Sequence, residues 1–138
     1  MYVLDTNVVS ELRRGARADG RVVAWAAGVA PGALYLSAVT VLELELGVRL
    51  LERRDANGGA TLRAWLDGRV LPAFRGRVLA FDERAALRCA ALHVPDRRAD
   101  RDAMIAATAL VHAMVVVTRN GGDFRPTGVE VLDPWGAG

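Results

Sequence analysis

The stretch DRDAMIAATALVHAMVVVT, residues 100–118, decides how this sequence folds. Its first part is dense in alanine, the strongest helix former, and small side chains let a helix lie close against a sheet. Its end, Val115-Val116-Val117, is a β-branched run with no polar alternation, which reads as a strand buried on both faces. A helix over Asp100–Ala113 feeding a strand over Met114–Thr118 is half of a parallel β-α-β unit.

Working outward, the same alternation recurs. Tyr2–Leu4 is a short strand ending at Asp5, followed by helical spacing from Asn7 to Leu12 that Gly15 stops. Arg21–Gly28 reads as a helix with Trp25 on its buried side, Pro31-Gly32 as a turn and Leu34–Leu36 as a strand. Thr40–Arg54 is a long helix, and the charged, Gly-rich run over 53–59 marks its end. A helix over Ala60–Val70, a strand over Arg77–Phe81, an Asp82 N-cap and a helix over Glu83–His93 come next, closed by Pro95. A last strand spans Val129–Leu132. Strands alternating with helices predict an α/β fold of three layers, a mainly parallel central sheet flanked by helices. With 138 residues, 52% of them hydrophobic, and no internal repeat, one domain over residues 1–138 is expected.

All 18 basic residues are arginine, so lysine-based chemistry is excluded and every cation is permanently charged and able to fork onto phosphate. The net charge of +2 permits an anionic partner without demanding one. A single cysteine, Cys89, makes no internal disulfide, and with only His93 and His112 beside it there is no zinc set. Cys89, Trp25, Trp65 and Phe81 fit core positions, and His112 reads as a core or helix-end residue. The arginine pairs at 13/14, 53/54 and 97/98 read as solvated faces, some of them suited to RNA phosphates. The start of the sequence lacks a signal-peptide pattern, and the uncharged stretches Val22–Leu42 and Ala103–Thr118 are broken by turn residues or switch from helix to strand preference. A cytoplasmic protein without a membrane span is expected.

In an open parallel sheet, ligands bind at the carboxyl ends of the strands. Asp5 stands at one such end, and Thr118-Arg119-Asn120-Gly121-Gly122-Asp123 follows another. The helices that return to this edge bring Glu43 and Asp102. Asp100, two positions from Asp102, lies about 200° round the helix and cannot share the site. Four carboxylates in one cleft repel one another, and a hard divalent cation such as Mg2+ or Mn2+ answers that repulsion with oxygen coordination. Such an ion activates water and neutralises a phosphodiester, which makes nucleic acid the implied substrate. Each acid also has a purely local reading. Asp5 fits an N-cap; Glu43 fits a capping box with Thr40; Asp102 fits a first-turn acid favoured by the helix dipole; Asp123 fits an Asx turn beside two glycines.

The acids and their flanks also match a family. Val3-Leu4-Asp5-Thr6-Asn7-Val8 resembles the opening strand and first acid of the PIN-domain nucleases, and Glu43-Leu44-Glu45-Leu46-Gly47 their Glu-Leu-x-x-Gly helix. Asp102-Ala103-Met104-Ile105-Ala106-Ala107-Thr108-Ala109 is similar to the third motif, and Val117-Thr118-Arg119-Asn120 with Asp123-Phe124 to the fourth. The match runs through essentially the whole chain, although the ending Trp135-Gly136-Ala137-Gly138 fits no motif. At this length the sequence resembles the VapC toxins of type II toxin-antitoxin pairs. The resemblance implies a PIN-like fold and a Mg2+-dependent endoribonuclease (Mn2+ being the other candidate ion) held inactive by a VapB-like antitoxin. It further implies a homodimer that meets operator DNA only through the antitoxin complex. Asp5 and Asp102 would be the leading metal ligands, with Glu43 and Asp123 completing the cluster, which decides the reading of Glu43. Thr6, Asn7, Thr118 and Asn120 would orient carboxylates, water or substrate. The alternative is a non-cleaving PIN-like module that binds nucleic acid or regulates its own operon. A glycosidase built on two carboxylates finds no support, because the few aromatics sit at core positions.

Overall fold

A computed structural model of the chain describes residues 1–136; Ala137 and Gly138, the end of the tail that fits no motif, lie outside the described residues. The elements run β1 (Tyr2–Leu4), α1 (Thr6–Arg13), α2 (Gly20–Ala27), β2 (Leu34–Ser37), α3 (Ala38–Arg54), α4 (Ala56–Trp65), α5 (Leu71–Ala73) and β3 (Val78–Leu79). They continue with α6 (Glu83–Leu92), α7 (Asp100–Val111), β4 (Val115–Val117), α8 (Gly121–Phe124) and β5 (Val131–Leu132). The five strands form one sheet in the order β3-β2-β1-β4-β5, and every neighbouring pair is parallel. No helix among the described residues is long and apolar enough to cross a membrane.

The pleat of the short strands explains the layers. Successive residues point to opposite faces, so Val3 and Val116 enter one core with Val39, Ile105, Ala106, Ala109 and Phe124, while Leu4 and Val117 enter the other with Val8, Val22, Leu44, Val48 and Leu66. Val3, Val116 and Val117 are completely buried, as the uninterrupted valine run requires. Each such side chain contributes roughly 1.5–3 kcal/mol of transfer free energy, which compensates for strands too short to rely on many ladder hydrogen bonds. The alanines of α7 let it press directly onto the sheet: Ala103, Ala106, Ala107 and Ala109 have no exposed surface.

Several boundaries differ from the sequence reading: the last strand, expected over Val129–Leu132, is confined to Val131–Leu132, and three further differences have a physical cause. The Gly-rich run is not a loop. Asp55 caps a new helix there, accepting a hydrogen bond from the Gly58 amide at 3.1 Å, and α4 starts at Ala56. Its glycines serve the crossing of α3 and α4, since a Cβ on Gly59 would stand 2.5 Å from the Glu52 Cα. Helix α3 starts at Ala38 rather than Thr40, because Ser37 supplies the cap and its Oγ accepts from the Thr40 amide at 3.1 Å. The strand expected over Arg77–Phe81 is confined to Val78–Leu79, at the edge of the sheet where only one neighbour holds it. Asp82 does cap α6, accepting from the Ala85 amide at 3.0 Å, and His112 sits exposed at the end of α7.

The glycine crossing is open to test. Gly59→Ala should cost about 1–3 kcal/mol in chemical denaturation, since its methyl meets fixed backbone. Gly68→Ala, where a Cβ would meet nothing within 4 Å, should be neutral or stabilising by up to about 1 kcal/mol. Equal effects of the two changes would show that α3 and α4 are not in tight contact at Gly59.

Candidate functional site

Strands β2 and β3 lie on one side of β1, and β4 and β5 on the other, so the direction of winding reverses between β1 and β4. The carboxyl ends of these two strands flank the crevice where such a sheet offers a ligand site. The ladder extends one residue further there, with the Asp5 amide donating to the Val117 carbonyl at 2.9 Å. Asp5 and Thr118 are thereby brought side by side.

Asp5 answers both of its sequence readings at once. Its backbone is extended, with φ −70° and ψ 157°, and it caps α1 by accepting the Thr6 amide on Oδ1 at 2.8 Å. The other oxygen accepts from Thr118 Oγ1 at 2.8 Å and from Asn7 Nδ2 at 3.2 Å. Thr118 is fully buried, and its hydroxyl oxygen also accepts from Asn7 Nδ2 at 3.3 Å and from the Asn120 amide at 3.0 Å. Asn7 closes the network by accepting the Arg119 amide on Oδ1 at 3.3 Å. Of the other residues expected to support the site, Asn120 joins the network through its backbone amide and not its side chain, whereas Thr6 Oγ1 donates to Glu43 Oε1 at 2.7 Å.

That last bond overturns the capping-box reading of Glu43. Thr40 is already inside α3, so the Glu43 side chain turns across to α1 instead of back to its own helix. Asp102 lies in the first turn of α7, as expected, and half-buried; it accepts no hydrogen bond from a described residue. Asp123 is carried by α8, which Phe124, with no exposed surface, pins to the core. The Asp123 side chain makes no Asx-turn bond among the described residues; only its amide is held, by the Asn120 carbonyl at 3.0 Å. Asp102 and Asp123 line one cleft of about 260 Å³, with Arg97, Arg98 and Gly122 beside them. Asp100 does not line this cleft, although it pairs at 3.3 Å with Arg97, which does. A larger groove of about 530 Å³, framed by Arg13, Arg14, Arg17 and Arg69 around Trp65, contains none of these acids.

The acids feel one another. Burial pushes the Asp5 carboxyl above its ordinary value against the lowering by Thr118 and Thr6, and the charges of Glu43 and Asp123 add to the rise. Burial also raises Asp102, followed by the charges of Asp5, Asp123 and Glu43. As placed, no three acidic, His or Cys side chains among the described residues form a cage for one ion. The donor set still fits Mg2+ or Mn2+, which favour oxygen and are commonly held by one or two carboxylates with water and substrate phosphate filling the remaining positions. No local residue pattern singles out Arg101, whose guanidinium stands 3.7 Å from Glu43.

Comparison with known proteins adds to this geometry. A PIN domain family model matches residues 2–129. The chain is 39% identical over 140 residues to VapC ribonuclease Y4jK of Sinorhizobium fredii, covering 98% of each protein. It is 41% identical over 140 residues to toxin FitB of Neisseria gonorrhoeae, covering 98% of this chain and 99% of that one. The solved structure of FitAB bound to an IR36 DNA fragment superposes with a TM-score of 0.91 at 39% identity, over 100% of this chain and 98% of that one. DNA-bound VapBC of Salmonella typhimurium shares the fold with a TM-score of 0.78 at 22% identity, over 96% of this chain and 97% of that one.

The repulsion has a measurable sign. An acid whose pKa is raised by folding binds more protons in the folded state, so it favours folding below the ordinary Asp value of 3.8 and opposes it as pH rises through the folded value. In EDTA at neutral pH, Asp102→Asn should therefore melt higher than the parent, with the gap closing as pH falls toward 3.8. A gap that stays constant or reverses across that range would show that folding does not raise the Asp102 carboxyl through burial and its acidic neighbours.

Proposed function

From the premise that the chain belongs to the PIN domain family, we propose that residues 1–138 act as one metal-dependent endoribonuclease, a VapC-like toxin. What supports this reading is that Asp5, Glu43 and Asp123, carried on or beside separate elements, stand near enough for their charges to weigh on Asp102, and that Asp102 and Asp123 line one cleft. The relatives named a ribonuclease and a toxin support the same reading across nearly the full chain.

In this reading Asp5, Glu43, Asp102 and Asp123 hold Mg2+ or Mn2+, which when bound lowers the pKa of a water and offsets charge on a phosphodiester. The protein's own part is to position and to move a proton. Thr118, Asn7 and the Thr6 amide fix the Asp5 carboxylate, and Thr6 Oγ1 fixes Glu43, so their orientation is set before substrate arrives. Asp102 and Asp123, free of such bonds, face the cleft that admits RNA. A cluster carboxylate accepts the proton of the attacking water; the phosphorus–O3′ bond breaks, and the O3′ takes up a proton. The products are a 5′-phosphate and a 3′-hydroxyl.

Control follows from the relatives. FitB forms the FitAB complex, seen bound to DNA, and we assign this chain a VapB-like antitoxin through which alone it reaches operator DNA. The toxin itself is assigned as a homodimer working in the cytoplasm.

Purified, EDTA-treated protein should cleave RNA only after Mg2+ or Mn2+ is restored. Asp5→Asn and Asp102→Asn should each lower the rate about 10²–10⁴-fold with unchanged circular dichroism, whereas Asp100→Asn should cleave normally. Parental activity in either cluster variant would sink the assignment, and RNA binding without any cutting by the parent would favour the non-cleaving module. Expression should arrest growth unless the antitoxin is expressed with it.

A further inference from the structure

We propose that Arg101 grips the RNA phosphate on which the cluster acts, its guanidinium meeting the non-bridging oxygens. The inference rests on the nuclease reading above and adds to it a substrate-binding residue that no motif contains.

Arg101 lies on α7 between Asp100, which does not line the cleft, and Asp102, which does. Its side chain crosses to α3, and among the described residues it is the one guanidinium within 4.0 Å of any of the four cluster carboxylates. The tie it makes there is loose. At 3.7 Å from Glu43 Oε2 it is too long for a hydrogen bond, and its side chain is 49% exposed. Arg101 donates no hydrogen bond to a described residue, and the opposite oxygen of Glu43 is already taken by Thr6 at 2.7 Å. An exposed pair of this length contributes little to stability, so the side chain leaves Glu43 at small cost.

The neighbouring arginines are engaged differently. Arg98 donates to the carbonyls of Leu92 at 2.9 Å and Pro126 at 3.3 Å. Arg97 is paired with Asp100 at 3.3 Å, and Arg119 lies over the Trp135 ring at 5.2 Å. Among the described residues, Arg101 alone combines contact with the cluster and donors without a hydrogen-bond partner. A phosphodiester entering this cleft is an anion approaching anions, and further negative charge gathers on its equatorial oxygens as the bond to O3′ breaks. A guanidinium matches two of those oxygens with a planar fork and stays charged at every working pH. A lysine in its place would keep the charge and lose the fork.

The test uses the full chain and a labelled single-stranded RNA. In an Asp102→Asn background, where cutting is suppressed, fluorescence anisotropy over a salt series should show Arg101→Ala weakening binding about tenfold. The slope of log affinity against log salt should shrink by about 1, the signature of one lost phosphate contact. Arg101→Lys should keep the slope. In the cutting-competent chain Arg101→Ala should lower kcat about 10²-fold, with Mn2+ affinity by calorimetry unchanged. An affinity and salt slope equal to the parent's would overturn the proposal. So would a lowered melting temperature with the slope intact, in Arg101→Ala or in Arg101→Lys, since that is the behaviour of a strut between α3 and α7. If the parent neither binds nor cuts RNA, the nuclease reading fails first and this one with it; if the parent cuts and Arg101→Ala cuts equally, only the present inference fails.

Discussion

Four like charges held at one sheet edge push one another apart, and the surrounding fold is arranged to resist that push. The hydroxyl of Thr118 is the hub of the resistance. Fully buried at the end of β4, it donates to Asp5 and accepts from Asn7 and Asn120, so one side chain locks the first residues of the chain to the last third of it. The sheet core beneath, with Val3, Val116 and Val117 sealed from water, makes this edge a rigid platform.

The cluster is graded from fixed to free. Asp5 is buried and held by three donors, Glu43 has one firm bond and one loose ion pair, and the side chains of Asp102 and Asp123 have no hydrogen-bond partner among the described residues. Such grading suits a site that keeps one ligand in place while others adjust to an ion with its waters and a substrate. It also carries a stability penalty, since the raised carboxyl pKa values of Asp5 and Asp102 report that folding buries them and, to a lesser degree, sets other acids near them. Local strain of this kind is a recurrent mark of functional sites in otherwise consistent folds.

Much of this was readable from the residues. The valine run and the alanines of residues 100–118 dictated a buried strand and a close-lying helix, and position after a strand picked out Asp5 and Asp123. What the residues hid was tertiary. Gly58 and Gly59 carry loop propensity, yet a Cβ on Gly59 would strike Glu52 and one on Gly58 would strike the Asp55 cap, so crossing and cap together recruit them into α4. Ser37 and Thr40 are both capping types three positions apart, and spacing alone does not say which one starts α3. For Asp5 the choice between cap and site was not a real one, because two oxygens let one carboxylate do both. Arg101 was invisible because its meaning lies in which helix face it crosses, which no local pattern records.

The strand made by residues 2–4 is the middle of the sheet, with partners drawn from residues 34–37 and 115–117. On the ribosome, then, residues 2–4 wait for residues 115–117 before they find all their neighbours. The bond from Thr118 to Asp5 closes over 113 positions, so a nascent or prematurely terminated chain lacks both Asp123 and the lock on Asp5. Translation itself thus delays the completion of the acidic cluster until residues 118–123 have been synthesised.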